Sequence, residues 1–121
     1  MPTARFFFDY GSGTVLWADP ADQETWGYAI DLDQLPVNQA LRNELTRLIA
    51  RYDTSLNWDS PSSPGPWREA QCHAFNEAAL RALCLLQDEL SPDWQITDSV
   101  LELHEDPDLD RYLADPPGFA R

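Results

Sequence analysis

The stretch between Gly65-Pro66 and Ser91-Pro92 constrains the fold more than any other part of the chain. Proline at a first-turn position begins a helix without losing a hydrogen bond, and the second proline ends one. The apolar side chains between them recur at helical spacing on one stripe: Phe75, Ala79, Ala82, Leu83, Leu86 and Leu90. Leu80 and Leu85 widen this stripe beyond that of an ordinary surface helix. We therefore predict a helix of about 25 residues, buried against a second helix and a sheet.

A second helix is predicted from about Asn38 to Tyr52. Its apolar residues also form one stripe, which consists of Leu41, Leu45, Leu48, Ile49 and Tyr52. Asn38 is of a residue type that caps the start of helices. The two helices are therefore expected to share an apolar interface.

Three short segments predict strands. In Arg5–Tyr10 the rings at positions 6, 8 and 10 line one strand face, with Phe7 on the other. Gly11–Gly13 predicts a hairpin loop of three or four residues leading into a second strand at Val15–Trp17. Trp94-Gln95-Ile96 indicates a third strand that pairs with the first, and residues 108–114 predict a last helical turn.

These elements together predict an α+β fold. The expected architecture is a small, mainly antiparallel sheet packed against two principal α-helices. A length of 121 residues with 43% hydrophobic content suits one hydrophobic core. We therefore predict a single domain over residues 1–121.

Charge limits the classes of partner. The chain carries 21 Asp and Glu against eight Arg and no Lys, a formal charge of -13. Residues 88–115 alone hold ten acids and one Arg. Such a chain disfavours direct binding to nucleic acid or to an anionic membrane, and it favours a protein partner that is basic at its contact surface.

The spacing of the cysteines and the lack of a long apolar run indicate the cellular compartment. Twelve helical residues separate Cys72 from Cys84 by about 18 Å, too far for a disulfide, so we expect two reduced, buried thiols. The first residues do not resemble an export signal, and no run of about 18 apolar residues could span a membrane. We expect a cytoplasmic protein.

No catalytic, metal or cofactor signature is complete, so none is predicted. Aspartates at 106, 108 and 110 resemble the opening of a calcium loop, but Arg111 and Pro117 stand where Gly and Glu are required. Cys72 and His73 point about 100 degrees apart on a helix and cannot share one metal ion.

The candidate partner-binding residues are acids and one aromatic side chain: Asp31, Asp33, Trp58, Asp59, Glu102, Glu105, Asp106 and Asp108. Trp58 lies in a polar loop between Asn57 and Asp59, and Trp67 follows it. A loop tryptophan can anchor a partner, or it can fold back and close the core. Both alternatives stay open for this pair.

The combination of small size, acidity, Phe8-Asp9-Tyr10-Gly11 and Asn57-Trp58-Asp59 resembles immunity proteins of interbacterial toxin systems, of the polymorphic or type VI-delivered kind. The resemblance is one of type and transfers no residue roles. It implies a non-enzymatic protein that neutralises a cognate toxin by covering or plugging its active site.

Two other functions remain open from the sequence. The same charge is typical of a DNA mimic or another acidic regulator of a nucleic-acid-binding protein. Paired carboxylates, such as Asp31 with Asp33 or the acids near Asp106, could instead serve a small enzyme.

Overall fold

The computed structural model describes residues 2–121. Its strands are β1 (Thr3–Phe6), β2 (Leu16–Ala18) and β3 (Gln95–Asp98), and its α-helices are α1 (Gln23–Trp26), α2 (Gln39–Asp53), α3 (Glu69–Leu90) and α4 (Leu109–Ala114). Short 3-10 turns occupy Pro20–Asp22, Leu32–Gln34 and Pro116–Gly118. The predicted α+β fold is confirmed, with two long helices and one small sheet.

The sheet is mixed, where a mainly antiparallel one was expected. Its three strands follow the order β2-β1-β3. Strand β1 pairs antiparallel with β2, with Phe6 opposite Leu16, and parallel with β3, with Ala4 opposite Ile96. The chain reaches β3 only after both long helices, and parallel pairing requires a long connection of this kind.

The hairpin loop is longer than predicted, because β1 ends at Phe6 and β2 begins at Leu16. The segment between them leaves the sheet and packs on the C-terminal end of α2. There the Tyr10 ring stacks on Tyr52 at 4.3 Å between centroids, and the Gly11 N–H donates to the Asp53 carboxylate at 3.0 Å. Gly11 has a φ of 73°, a left-handed conformation that suits glycine. This packing explains why the strand stops early.

Both helices begin with side-chain contacts to the backbone. The Asn38 side chain accepts the Leu41 N–H at 2.7 Å, which confirms the predicted cap of α2. Helix α3 begins at Glu69, later than Pro66, and the Arg68 N–H donates to the Gln71 side chain at 2.9 Å. It spans 22 residues and contacts both α2 and β3, so the predicted packing on two sides is confirmed, although Leu80 and Leu85 take no part in it.

One cluster of buried side chains joins the helices to the sheet, and its largest fully buried members include Phe6, Leu45, Leu48, Phe75 and Leu86. The stripe of α3 is not buried throughout, because Leu80 and Leu85 are exposed by 56% and 52%. The prediction of two buried thiols is also wrong for Cys84, which is exposed on the same helix. Cys72 is buried, and burial raises the pKa of its thiol.

Within residues 2–121, no helix is both long enough and apolar enough to cross a membrane. In the same residues, no three or more His, Cys, Asp and Glu side chains lie close enough together to hold a metal ion.

Candidate partner-binding surface

The loop between α2 and α3, residues 54–68, is held together by its own polar contacts. The Asn57 amide donates to the Pro64 carbonyl oxygen at 3.3 Å, and the Asn57 side-chain oxygen accepts the Ser60 N–H at 3.0 Å. A Cβ atom on Gly65 would lie 2.1 Å from the carbonyl oxygen of Ser55, so the two ends of the loop touch there. The backbone of the loop is therefore closed at its base and held in place by its own hydrogen bonds.

The two tryptophans of this loop have opposite environments. Trp67 is buried, packs on Phe75 at 5.5 Å between centroids, and donates its indole N–H to the Thr54 hydroxyl at 3.1 Å. Trp58 is 57% exposed, and its indole N–H donates to the Asp53 carbonyl oxygen at 2.6 Å. Of the two alternatives, Trp67 closes the core and Trp58 lies on the surface.

A groove separates this loop from α4. Its loop side is formed by Leu56, Asn57, Trp58, Asp59, Pro64 and Pro66, and its α4 side by Leu109, Tyr112 and Leu113. Leu109 is buried and fixes α4 to the body of the protein, whereas Leu113 is 53% exposed. This groove is not among the features predicted from the sequence, although Leu109 and Leu113 have the four-residue spacing of one helix face.

Asp106 and Asp108 lie just before α4 and share a guanidinium group. Arg121 Nη2 lies 2.6 Å from Asp106 Oδ2, and Nη1 lies 3.2 Å from Asp108 Oδ2. The Arg121 Nε–H also donates to the Ser62 carbonyl oxygen at 2.9 Å. The hydrogen bond from Arg121 holds the pKa of Asp106 below its ordinary value.

Glu105 is tied to the start of α3 by a reciprocal pair of contacts. Its backbone N–H donates to the Glu69 carboxylate at 2.8 Å, and the Glu69 N–H donates to the Glu105 carboxylate at 3.1 Å. His104 lies 3.1 Å from Glu69 and 3.6 Å from Glu102. Two hydrogen bonds lower the pKa of Glu69. The larger effect comes from the Glu105 N–H and the smaller one from the His104 ring. These contacts fix the acidic segment against the helix.

Asp31 and Asp33 lie at the other end of the molecule. The Asp31 carboxylate accepts the Asp33 N–H at 2.9 Å, so it caps the turn Leu32–Gln34. The nearby Asn38 N–H donates to Glu89 in the last turn of α3, and α3 is about 33 Å long.

The structure therefore divides the eight predicted residues into two groups. Six lie along the first half of α3 or beside the loop that precedes it, and we call them the acidic end: Trp58, Asp59, Glu102, Glu105, Asp106 and Asp108. Their exposure differs, since Asp59 and Glu102 are exposed while Glu105, Asp106 and Asp108 are half-buried.

A protein-family model described as Serratia CdiI immunity protein-like matches residues 3–98, more than three quarters of the chain. The chain belongs to this family. The resemblance to immunity proteins is thereby confirmed, and the system is identified as contact-dependent inhibition. An immunity protein of such a system neutralises a toxin, so a cognate toxin is the partner of this CdiI-like protein.

No curated protein matches the chain. The family match includes the loop with Trp58 and ends with β3. Helix α4 and the acids from Glu102 onward therefore follow the matched residues.

Proposed function

We propose that this CdiI-like protein neutralises its cognate toxin by binding it directly with the acidic end, covering the toxin's active site without any catalysis of its own. The location of the exposed acids carries the proposal. Asp59 and Glu102 are exposed, and the half-buried carboxylates of Asp106 and Asp108 belong to the same end of the molecule. Such a surface complements a basic cleft.

The charge also has a kinetic role in this proposal. A formal charge of -13 attracts a basic partner over distances of about a Debye length, which is ~10 Å at 0.1 M salt. Association is then fast at low salt and slower at high salt, and a slow immunity protein would leave the toxin active in the meantime.

We further propose that neutralisation takes place in the cytoplasm. Cys72 and Cys84 are free thiols, and Cys84 is exposed. An exposed free thiol suits a reducing compartment better than an oxidising one. Cell fractionation with an antibody against the chain tests this placement, and recovery in the periplasmic fraction would contradict it.

Charge reversal at matched positions tests the binding proposal. The cognate toxin, taken from the neighbouring gene, is mixed with the double variant Asp59→Lys, Glu102→Lys. The control is Asp33→Lys with Asp88→Lys, two exposed acids away from the acidic end. We expect the association rate at low salt to fall about tenfold for the first variant and less than twofold for the control.

Each outcome of this experiment has a distinct meaning. Equal effects of the two double variants would show that total charge, and not the acidic end, governs association. If the control variant slowed association more, the toxin would bind near Asp33 and not at the acidic end. Failure of the wild-type protein to bind the toxin, together with competition against duplex DNA for another protein, would favour the acidic-regulator alternative.

A further inference from the structure

We propose that the groove between loop 54–68 and α4 receives an apolar side chain of the cognate toxin, with a cationic side chain beside it. This inference rests on the proposed function and names the part of the surface that anchors the toxin. The groove has apolar walls, a backbone held in place by hydrogen bonds, and an acid on its rim.

The walls of the groove end in two large exposed apolar side chains. Trp58 is 57% exposed on the loop, and Leu113 is 53% exposed on α4. Between them lie the buried side chains of Pro64 and Leu109. A side chain that enters this groove removes apolar surface from water on both walls and on the floor.

The groove is held in shape before any partner arrives. The indole N–H of Trp58 already donates to the Asp53 carbonyl oxygen, and Asn57 joins the two sides of the loop through Pro64. Helix α4 is fixed by the buried Leu109. A preformed groove loses little conformational entropy on binding, and tryptophan is enriched among residues that dominate interface energetics.

The loop side of the groove has an acidic rim. Asp59 lines the groove beside Trp58 and is exposed, whereas Asp110 on α4 lies 2.8 Å from Arg68, which neutralises part of its charge. An apolar side chain with a neighbouring Lys or Arg therefore finds complementary charge at the rim.

The same charge argues against a second copy of this chain as the occupant. A symmetric dimer through the groove would bring two acidic rims together, each on a protein of formal charge -13. A basic toxin meets no such repulsion. We therefore assign the groove to the toxin.

Exposed leucines provide a matched test. Leu113→Ser changes the groove, and Leu85→Ser changes an equally exposed leucine, at 52%, on α3. We expect Leu113→Ser to raise the Kd for the toxin about tenfold, chiefly through faster dissociation, and Leu85→Ser to change it less than twofold. Trp58→Ala is expected to have a larger effect than Leu113→Ser. Equal melting temperatures of the two serine variants exclude unfolding as the cause.

The outcomes separate this inference from the proposed function. If the wild-type protein does not bind the toxin, both fail. If it binds and the two serine variants bind equally well, the groove proposal is wrong while toxin binding stands. If the wild-type protein forms a dimer in sedimentation that Leu113→Ser abolishes, the groove belongs to a second copy and the inference is overturned.

Discussion

Asp106 is a predicted partner-binding residue whose carboxylate is already paired within the protein. Its carboxylate accepts the Asp108 N–H at 2.8 Å and contacts Arg121. From the sequence, Asp106 is one acid in a run of acids. The structure adds a cation from the last position of the chain, fifteen residues away. A toxin cation that approaches Asp106 must therefore compete with Arg121.

Titration of Asp106 tests this contact. We expect Arg121→Gln to raise the Asp106 pKa toward the ordinary value of about 3.9, because the hydrogen bond that favours the charged carboxylate is lost. Arg111→Gln removes a weaker contribution and serves as the matched control, with a smaller rise. NMR detection of the side-chain carboxyl carbon measures both values.

The sign of the effect on stability follows from the direction of this shift. An Asp whose pKa is lower in the folded state than in the unfolded state stabilises the fold at every pH above its unfolded pKa. This contribution is lost as the pH falls through the lowered, folded-state pKa. The wild-type protein and Arg121→Gln should therefore differ in stability near neutral pH and converge in acid. An unchanged Asp106 titration in Arg121→Gln would contradict the contact.

At the scale of elements, the loop between α2 and α3 depends on one glycine. Gly65 lies so close to Ser55 that a Cβ atom would meet the Ser55 carbonyl oxygen at 2.1 Å. A backbone atom of a braced loop cannot move aside as a flexible side chain can. Gly118 offers a contrast, because its Cβ would meet only the Asp115 carboxylate, at 2.3 Å, in an exposed turn.

Alanine at these two glycines should therefore have unequal effects. We expect Gly65→Ala to lower the free energy of unfolding by about 1–3 kcal/mol, through forced displacement of the loop. Gly118→Ala should change it by less than about 0.5 kcal/mol. Urea denaturation measures both, and equal losses would show that the loop accommodates the added methyl group.

The sequence predicted elements whose cause is local and missed those whose cause is distant. Asn38 and the leucine stripe that follows it lie within the helix they define, so α2 was predicted almost to the residue. The early end of β1 depends on stacking between Tyr10 and Tyr52, far apart in the chain. Parallel pairing of β3 likewise depends on the path of the whole chain.

The same contrast between local and distant causes applies to the candidate site. Exposure of Trp58 and burial of Trp67 could not be separated by composition, since both lie in the same loop rich in serine and proline. The separation of Asp33 from Asp106 depends on α3, which was predicted at about 25 residues and has 22. The end of that helix at which each acidic segment docks is a distant contact, which the pattern of residues does not predict.

At the scale of the whole molecule, the acidic charge opposes folding as well as aiding association. Like charges repel more strongly in the compact state than in the extended chain. Contacts such as Arg121 with Asp106 and Arg68 with Glu105 neutralise part of the acidic end only. The remaining repulsion is spread over the surface, so it should respond to salt.

Added salt should therefore stabilise the isolated protein while it slows toxin binding. We expect the melting temperature to rise by about 4 °C between low and physiological ionic strength, or ~1 kcal/mol for a domain of this size. The control variant replaces three exposed acids, Asp33, Asp88 and Asp93, by Asn. It should melt higher at low salt and gain less from added salt. A salt response equal to that of the wild-type protein would show that self-repulsion does not limit stability.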